Sequence, residues 1–376
     1  MNGPRIALCL GGGGVTGAMY QIGVLAALED AVEGLQANDF DLYVGASSGA
    51  SVAAALAGGR PVQRIYRAVL DPADDYFPLE RKHLLRMDLP EWRRAIATSW
   101  EVIQQGTESL LSRTPGPSPD VLWEQLDRFY DSLPAGFFAL DAYERFLEEF
   151  FIRRGVPNHF VAMPRRLRIM AHDLDSGEAV FFGSPGFDHV PVTRTCCASL
   201  ALPPFYSPVR IGGRDYIDAG AAQVEHLDAA VRDGADVVVV VNPVVPVRTP
   251  GGSGAPADRQ CVRDKGLMRV SSQAIRIASH KLLGEACKRV QARGDTDVVL
   301  IEPEPTDAIL FLHNPASFAA RRQILEYGYR TTRARMTRWF ATGSASLRRA
   351  GWKTSTPPGS RPSSPPLEPG ASRLER

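Results

Sequence analysis

Two short motifs near the start of the chain limit its fold more than anything else in it. Gly11-Gly12-Gly13-Gly14-Val15-Thr16-Gly17 follows an apolar run, Arg5 to Leu10. It precedes a stretch, Ala18 to Leu28, in which Tyr20, Val24, Leu25 and Leu28 recur at helical spacing. Gly45-Ala46-Ser47-Ser48-Gly49 follows a second short strand, Asp41 to Val44, and leads into the small residues Ser48 to Ala57, which suit a closely packed helix ended by Gly58-Gly59. Strand, glycine loop and helix, then strand, elbow and helix, predict an α/β layered core with a mostly parallel sheet. The G-x-S-x-G spacing holds a serine hydroxyl on a sharp turn. Gly45 and Gly49 are expected to be small because the elbow's neighbours leave no room for a Cβ.

Gly12, Gly14 and Gly17 also satisfy G-x-G-x-x-G, so a dinucleotide site has to be considered. That site needs an acidic residue near the end of the next strand, to bind the ribose hydroxyls. Here the next strand ends in Gly45-Ala46-Ser47. A phosphate loop fails sooner, because no Gly-Lys-Ser/Thr follows. Ser47 is therefore the candidate nucleophile, beside a loop able to offer backbone N–H groups.

The nucleophile needs a base, and the seven histidines (His83, His159, His172, His189, His226, His280, His313) are scattered without a catalytic context. Asp218, in Asp215-Tyr216-Ile217-Asp218-Ala219-Gly220, is the better candidate, since a strand there ends in small residues that leave a carboxylate accessible. The competing role for an aspartate before glycine is a turn residue that bonds its own backbone.

A net charge of +1 gives no push towards nucleic acid, and 376 residues with 44% apolar content fit an ordinary globular chain. The five cysteines have no C-x-x-C spacing and read as reduced thiols, which points to a cytoplasmic protein. The N-terminus fits a buried first strand better than a secretory segment. The strongest apolar run, Val237 to Val241, is far short of the ~20 residues that span a bilayer, so any membrane contact is expected to be peripheral. Neither metal nor cofactor is expected, and oligomeric state is not readable.

Residues 1–340 read as one catalytic domain. Within it, 71–155 reads as a helical insertion or lid without strands. Asp88-Leu89-Pro90-Glu91 resembles a capping box, Trp92, Ile96, Trp100 and Ile103 make an apolar stripe, Thr114 to Pro119 breaks the chain, and helices follow around Trp123 to Tyr130 and Tyr143 to Phe151. Strands are predicted at Leu167 to Met170, Ala179 to Phe182, Val237 to Val241 and Val298 to Ile301, with a hairpin at Pro208 to Ile217 turning through Gly212-Gly213-Arg214. Residues 243–258 read as a flexible loop, Pro315 to Phe340 as a last helix, and 341–376, rich in Ser, Pro and Arg, as a disordered tail.

Taken together, these motifs resemble the patatin-like phospholipases of bacterial type, over about Arg5 to Val241. Gly12 to Gly17 is similar to that family's oxyanion loop, Gly45 to Gly49 to its elbow, Asp218-Ala219-Gly220 to its aspartate block, and Ala198-Ser199-Leu200-Ala201-Leu202-Pro203 to the segment preceding that block. The resemblance implies a three-layer α/β/α fold and a lipid acyl hydrolase with a Ser47–Asp218 dyad and an acyl-enzyme intermediate. It also implies oxyanion donors at Gly12, Gly13, Gly14 and Val15, Gly220 in the turn after the aspartate, and a phospholipid or other fatty acyl ester as substrate. Two positions depart from the pattern: Thr16 stands where the family usually carries Arg or Lys, and Ala219 where it usually carries Gly. Those departures favour the main alternative, a catalytically silent lipid-binding or scaffold protein. An acyltransferase or thioesterase would share the same residues.

Two further stretches have alternative readings. Phe137, Phe138, Leu140, Tyr143, Phe146, Leu147, Phe150 and Phe151 read as the apolar face of a core helix or as an acyl-chain pocket. The arginines of the last helix (Arg321, Arg322, Arg330, Arg333, Arg335, Arg338) read as a solvated basic face or as a contact with anionic membrane.

Overall fold

The structure, a computed structural model, describes residues 3–71, 73–97, 123, 127, 131–220, 225–248, 262–304, 307, 310 and 317–355. Among them the strands are β1 (Ile6–Leu10), β2 (Leu42–Ala46), β3 (Arg86–Met87), β4 (Phe138–Ala139), β5 (Arg166–Asp173), β6 (Ala179–Phe182), β7 (Val209–Ile211), β8 (Arg214–Ile217), β9 (Val237–Val241) and β10 (Asp297–Ile301). The helices are α1 (Gly14–Ala31), α2 (Ser48–Ala57), α3 (Val62–Leu70), α4 (Arg81–Leu84), α5 (Asp141–Arg154), α6 (Val192–Leu200), α7 (Glu225–Arg232), α8 (Leu267–Arg293), α9 (Arg321–Thr342) and α10 (Ala345–Arg349).

Eight strands form one sheet in the order β10-β9-β1-β2-β5-β8-β7, with β6 also paired to β5. The five from β10 to β5 run parallel, while β6, β7 and β8 join antiparallel. The unbroken valines of β9 follow from burial on both faces: Val237, Val239 and Val241 enter the core that holds α1 and α9, and Val238 and Val240 the core with α7 and α8. Helices on both sides of a mostly parallel sheet make the three-layer α/β/α arrangement. At the sheet edge, β7 and β8 turn through Gly212 and Gly213, both at positive φ (58° and 85°), the two-residue geometry that matches strand twist. Arg214 belongs to β8 rather than to the turn.

Helix α1 runs from the glycine loop across one face and is crossed at close range by α9. A Cβ on Gly23 would lie 2.2 Å from Leu325 O, and one on Gly328 would lie 2.6 Å from Tyr20 O. Two glycines thus let the backbones approach closely, and neither was singled out from the sequence.

Several expectations are corrected. The 71–155 block contains a short antiparallel pair, β3 with β4. Asp88 does cap helical residues 89–97, its Oδ1 accepting from Glu91 N at 3.3 Å, but Asp88 N bonds Phe137 O and Glu91 pairs with Arg94, so no reciprocal box forms. Trp92 packs on Phe137 whereas Ile96 is exposed, so the stripe is not one buried face; Trp100, Ile103, Thr114 to Pro119 and most of Trp123 to Tyr130 lie outside the described residues. The 243–258 loop begins as packed chain, with Val244 and Val245 buried and Val247 bonded through N and O to the Gln273 amide; 249–258 lie outside the described residues. The last helix starts at Arg321 rather than Pro315.

The tail is also folded further than its composition suggests. α10 follows Gly343, Leu347 and Trp352 are buried, and the segment returns to the end of α1 through Glu33 N to Lys353 O (2.9 Å) and Ser355 N to Ala31 O (3.0 Å). Two apolar anchors suffice to order a stretch that average composition marks as coreless. Residues 356–376 lie outside the described residues.

Candidate functional site

β2 ends at Ala46 and α2 begins at Ser48, so Ser47 alone must turn the chain from sheet to helix. It does so at φ 54°, ψ −130°, and is the single non-glycine residue with positive φ among the described residues. Backbone strain of this kind costs about 1–3 kcal/mol and persists only where neighbours impose it. The neighbours do so here by crowding. A Cβ on Gly45 would lie 2.5 Å from Ala50 Cα, and one on Gly49 would lie 2.4 Å from both Leu10 O and Gly11 O. The elbow is therefore packed backbone to backbone against the start of the glycine loop.

That loop bends through Gly13 (φ 118°) and Gly14 (φ 65°). A Cβ on Gly17 would lie 2.5 Å from Gly12 O, so Gly12 is the carbonyl on which the first turn of α1 rests. The first rung of α1 is Gly17 N to Gly13 O at 3.0 Å, which leaves the amides of Gly14, Val15 and Thr16 ahead of the helical ladder. Likewise α2 starts its ladder with Ala50 N to Ser47 O at 3.0 Å, ahead of which come the Ser48 and Gly49 amides. The two helices thus begin beside one another, and N-terminal amides and dipoles favour developing negative charge.

Ser47, Asp218, Gly13, Gly14, Val15 and Gly220 line one cavity of ≈ 770 Å³; Gly12, Gly45 and Gly49 lie behind it in the packing. Ser47 and Asp218 are 5% and 3% exposed. No histidine lines this cavity among the described residues. Asp218 fulfils the turn role as well, since its Oδ1 accepts from Gly220 N at 2.7 Å. The positive φ in this turn falls on Gly220 (54°) and not on Ala219, so the methyl of Ala219 meets no left-handed backbone. Thr16 is buried, and its Oγ1 donates to Gly13 O at 3.1 Å, closing the loop locally.

The segment Ala198 to Ala201 holds the two candidate residues from one side, which spacing could not reveal. Ser199 Oγ accepts from Ser47 N at 2.7 Å and donates to Met170 O at 2.5 Å, while Ala201 O accepts from Asp218 N at 3.0 Å. Arg276 was missed outright. It is buried on α8 and donates to Pro243 O (3.3 Å), Val245 O (3.1 Å) and Leu310 O (3.4 Å), and so helps hold Pro243, whose ring lies 3.5 Å from where a Cβ on Gly13 or Gly17 would stand. Burial pulls its guanidinium down to about 10, still charged at neutral pH.

The aromatic stretch is divided between the core and the cavity wall. Phe146 and Phe150 make edge-to-face contacts with Phe77 in the core, while Tyr143 and Phe150 line the cavity together with Phe138. Tyr143, whose phenol burial pushes far up, donates to Ser51 Oγ at 2.8 Å and ties α5 to α2 directly after the elbow. Most of the remaining wall is apolar, including Met19, Ile22, Val52, Ile65, Leu79 and Leu84. No helix is long and apolar enough to cross a membrane, and no cluster of metal-ligating side chains occurs among the described residues.

Comparison with solved structures finds VipD from Legionella pneumophila (TM-score 0.36, 15% identity, covering 90% of this chain and 67% of that one). It also finds the type III effector ExoU of Pseudomonas aeruginosa (0.37, 16%, 89% and 53%) and human GIVD cytosolic phospholipase A2 in complex with methyl gamma-linolenyl fluorophosphonate (0.36, 13%, 92% and 60%). This chain thus spans between 53% and 67% of the length of those relatives. A search of curated proteins returns no significant match. The model of the family described as Patatin-like phospholipase matches residues 8–231, more than half of the chain, and the match contains the glycine loop, the elbow, the Ala198 segment and Asp218. On that match, the chain belongs to the patatin-like phospholipase family.

Proposed function

We propose that this protein is a serine ester hydrolase of phospholipase A type, cleaving a fatty acyl ester through Ser47 and Asp218. The observation that carries the reading is the convergence on one largely apolar cavity of a strained elbow serine, a buried aspartate and the loop Gly13-Gly14-Val15. Asp218 takes the proton of Ser47 Oγ as that oxygen attacks the ester carbonyl. The tetrahedral oxyanion faces backbone amides of Gly14, Val15 and Ser48, which line the cavity and precede the helical ladders. Collapse expels the alcohol, which takes the proton from Asp218, and leaves an acyl group on Ser47. Water then attacks the acyl-enzyme, giving its proton to Asp218, and the fatty acid leaves as Ser47 regains its hydrogen. The apolar wall takes the acyl chain, whose burial contributes about 0.8 kcal/mol per methylene. The membrane or aggregate that supplies such a lipid is met peripherally.

Labelling with a fluorophosphonate probe, which phosphonylates activated serines, tests this directly. Wild type is expected to label and to hydrolyse p-nitrophenyl butyrate. Ser47→Ala is expected to lose both, with turnover falling by about 10⁴-fold or more, while its circular dichroism is unchanged. Folded wild type that neither labels nor turns over an ester would overturn the assignment.

A further inference from the structure

Around the cavity mouth the chain leaves apolar side chains exposed. Leu85, Pro203, Pro204, Leu267 and Met268 line the cavity, and all five are exposed. The exposure continues away from the opening along two elements. One is the segment after α4, with Met87 and Leu89 (55%); the other is the start of α8, with Leu267 (77%) and Val270 (44%). Single exposed apolar residues need no explanation, but an exposed set continuous with a lipid-sized cavity marks an interaction surface. The charge along α8 is one-sided too. At and just before its start stand Arg263, Lys265 and Arg269 against Asp264 alone, with Arg276 buried and spent on backbone carbonyls.

We propose that this rim, the start of α8 with the segment after α4, is the surface that docks on an anionic lipid bilayer and hands single acyl chains to Ser47. The occupant follows from three features: the apolar groups ring the opening, the opening leads to the proposed nucleophile, and the α8 segment carries the sign of charge that anionic headgroups attract. Three of the α9 arginines are tied to the protein itself. Arg321 donates to the Leu79 and Phe318 carbonyls, Arg322 pairs with Glu326 and Arg335 with Glu304. What assigns the lipid-facing role to α8 instead of the last helix is position: its exposed Leu267 and Met268 line the cavity, and no residue of α9 does. The inference rests on the hydrolase reading for its purpose, although not for its measurement.

The test uses the full chain and sedimentation with vesicles of phosphatidylcholine alone or mixed with phosphatidylglycerol. Leu89 and Val270 do not line the cavity, so Leu89→Glu/Val270→Glu probes the rim without touching the pocket. Wild type is expected to bind the anionic vesicles in a salt-sensitive way. The double variant should bind at least about tenfold more weakly and hydrolyse vesicle lipid correspondingly less, with p-nitrophenyl butyrate turnover unchanged. Arg330→Glu/Arg338→Glu on α9 should keep binding. Unchanged binding by the rim variant, or loss by the α9 variant, would overturn the proposal. So would wild type that ignores vesicles and instead forms a concentration-dependent dimer dispersed by the rim changes. Vesicle binding without any ester turnover would sink the hydrolase and spare the docking surface; turnover of the soluble ester without vesicle binding would do the reverse.

Discussion

Around one cavity the chain is built in two opposite ways. Beneath Ser47, carbonyls and Cα atoms approach so closely that a Cβ on Gly45 or Gly49 would meet backbone at 2.4–2.5 Å. At the mouth, the large apolar residues Leu85 and Leu267 are left 41% and 77% exposed. The first region tolerates almost no change because its shape is a property of rigid backbone, and strain at Ser47 is maintained by its neighbours. The second is free to vary in shape, and its fitness depends on what meets it from outside. Chemistry is expected to depend on the floor and access to aggregated substrate on the rim.

The sharpest way to break this division is at the floor. Asp218→Asn is expected to lower kcat/KM for p-nitrophenyl butyrate by about 10²–10⁴-fold, the usual contribution of a positioned base, with thermal stability near wild type. Turnover at the wild-type level would reduce Asp218 to its turn role. Gly49→Ala should destabilise the fold by about 1–3 kcal/mol through overpacking against Leu10 and Gly11, read from denaturant midpoints at constant m-value. A neutral result would mean that the elbow can part from the loop.

Ser199→Ala removes a hydroxyl that joins the Ser47 amide to the Met170 carbonyl, leaving both buried; a loss of about 1–3 kcal/mol in stability is expected, with roughly tenfold slower turnover. Unaltered turnover in a destabilised variant would assign Ser199 to the fold alone. The smallest effect belongs to the rim: Val270→Glu by itself should shift stability by no more than about 0.5 kcal/mol, as for other exposed positions, and should leave soluble-ester hydrolysis intact. A large loss of soluble-ester activity there would mean that rim and floor are not separable.

Much of the floor was legible before any coordinates. The elbow glycines, Ser47 and the loop lie within short windows, and the crowding that demands small residues acts between neighbours in sequence or between two adjacent strand ends. β9 and the Gly212-Gly213 hairpin were legible for the same reason: a run of valines and a glycine pair encode burial and positive φ locally. The missed elements are those whose partners are distant. α8 has no single apolar stripe, because its start presents exposed Leu267 and Val270 while later residues such as Leu283 and Val290 enter the core. The folded 341–355 segment rests on Leu347 and Trp352, two anchors in a stretch whose average composition is polar.

The sequence by itself determined the elbow, the glycine loop, the parallel core and an aspartate at a strand end that reaches the same cavity as the elbow serine, since strand period, glycine placement and turn chemistry act over a few residues. Only the tertiary structure decided what brings them together. The Ser199 hydroxyl reaches Ser47 across 152 positions, and Arg276 reaches the carbonyl of Pro243, beside the loop, across 33. It also decided which basic helix turns apolar groups outward. Periodicity specifies that a helix has faces, but which face is covered depends on packing with residues far away in the chain.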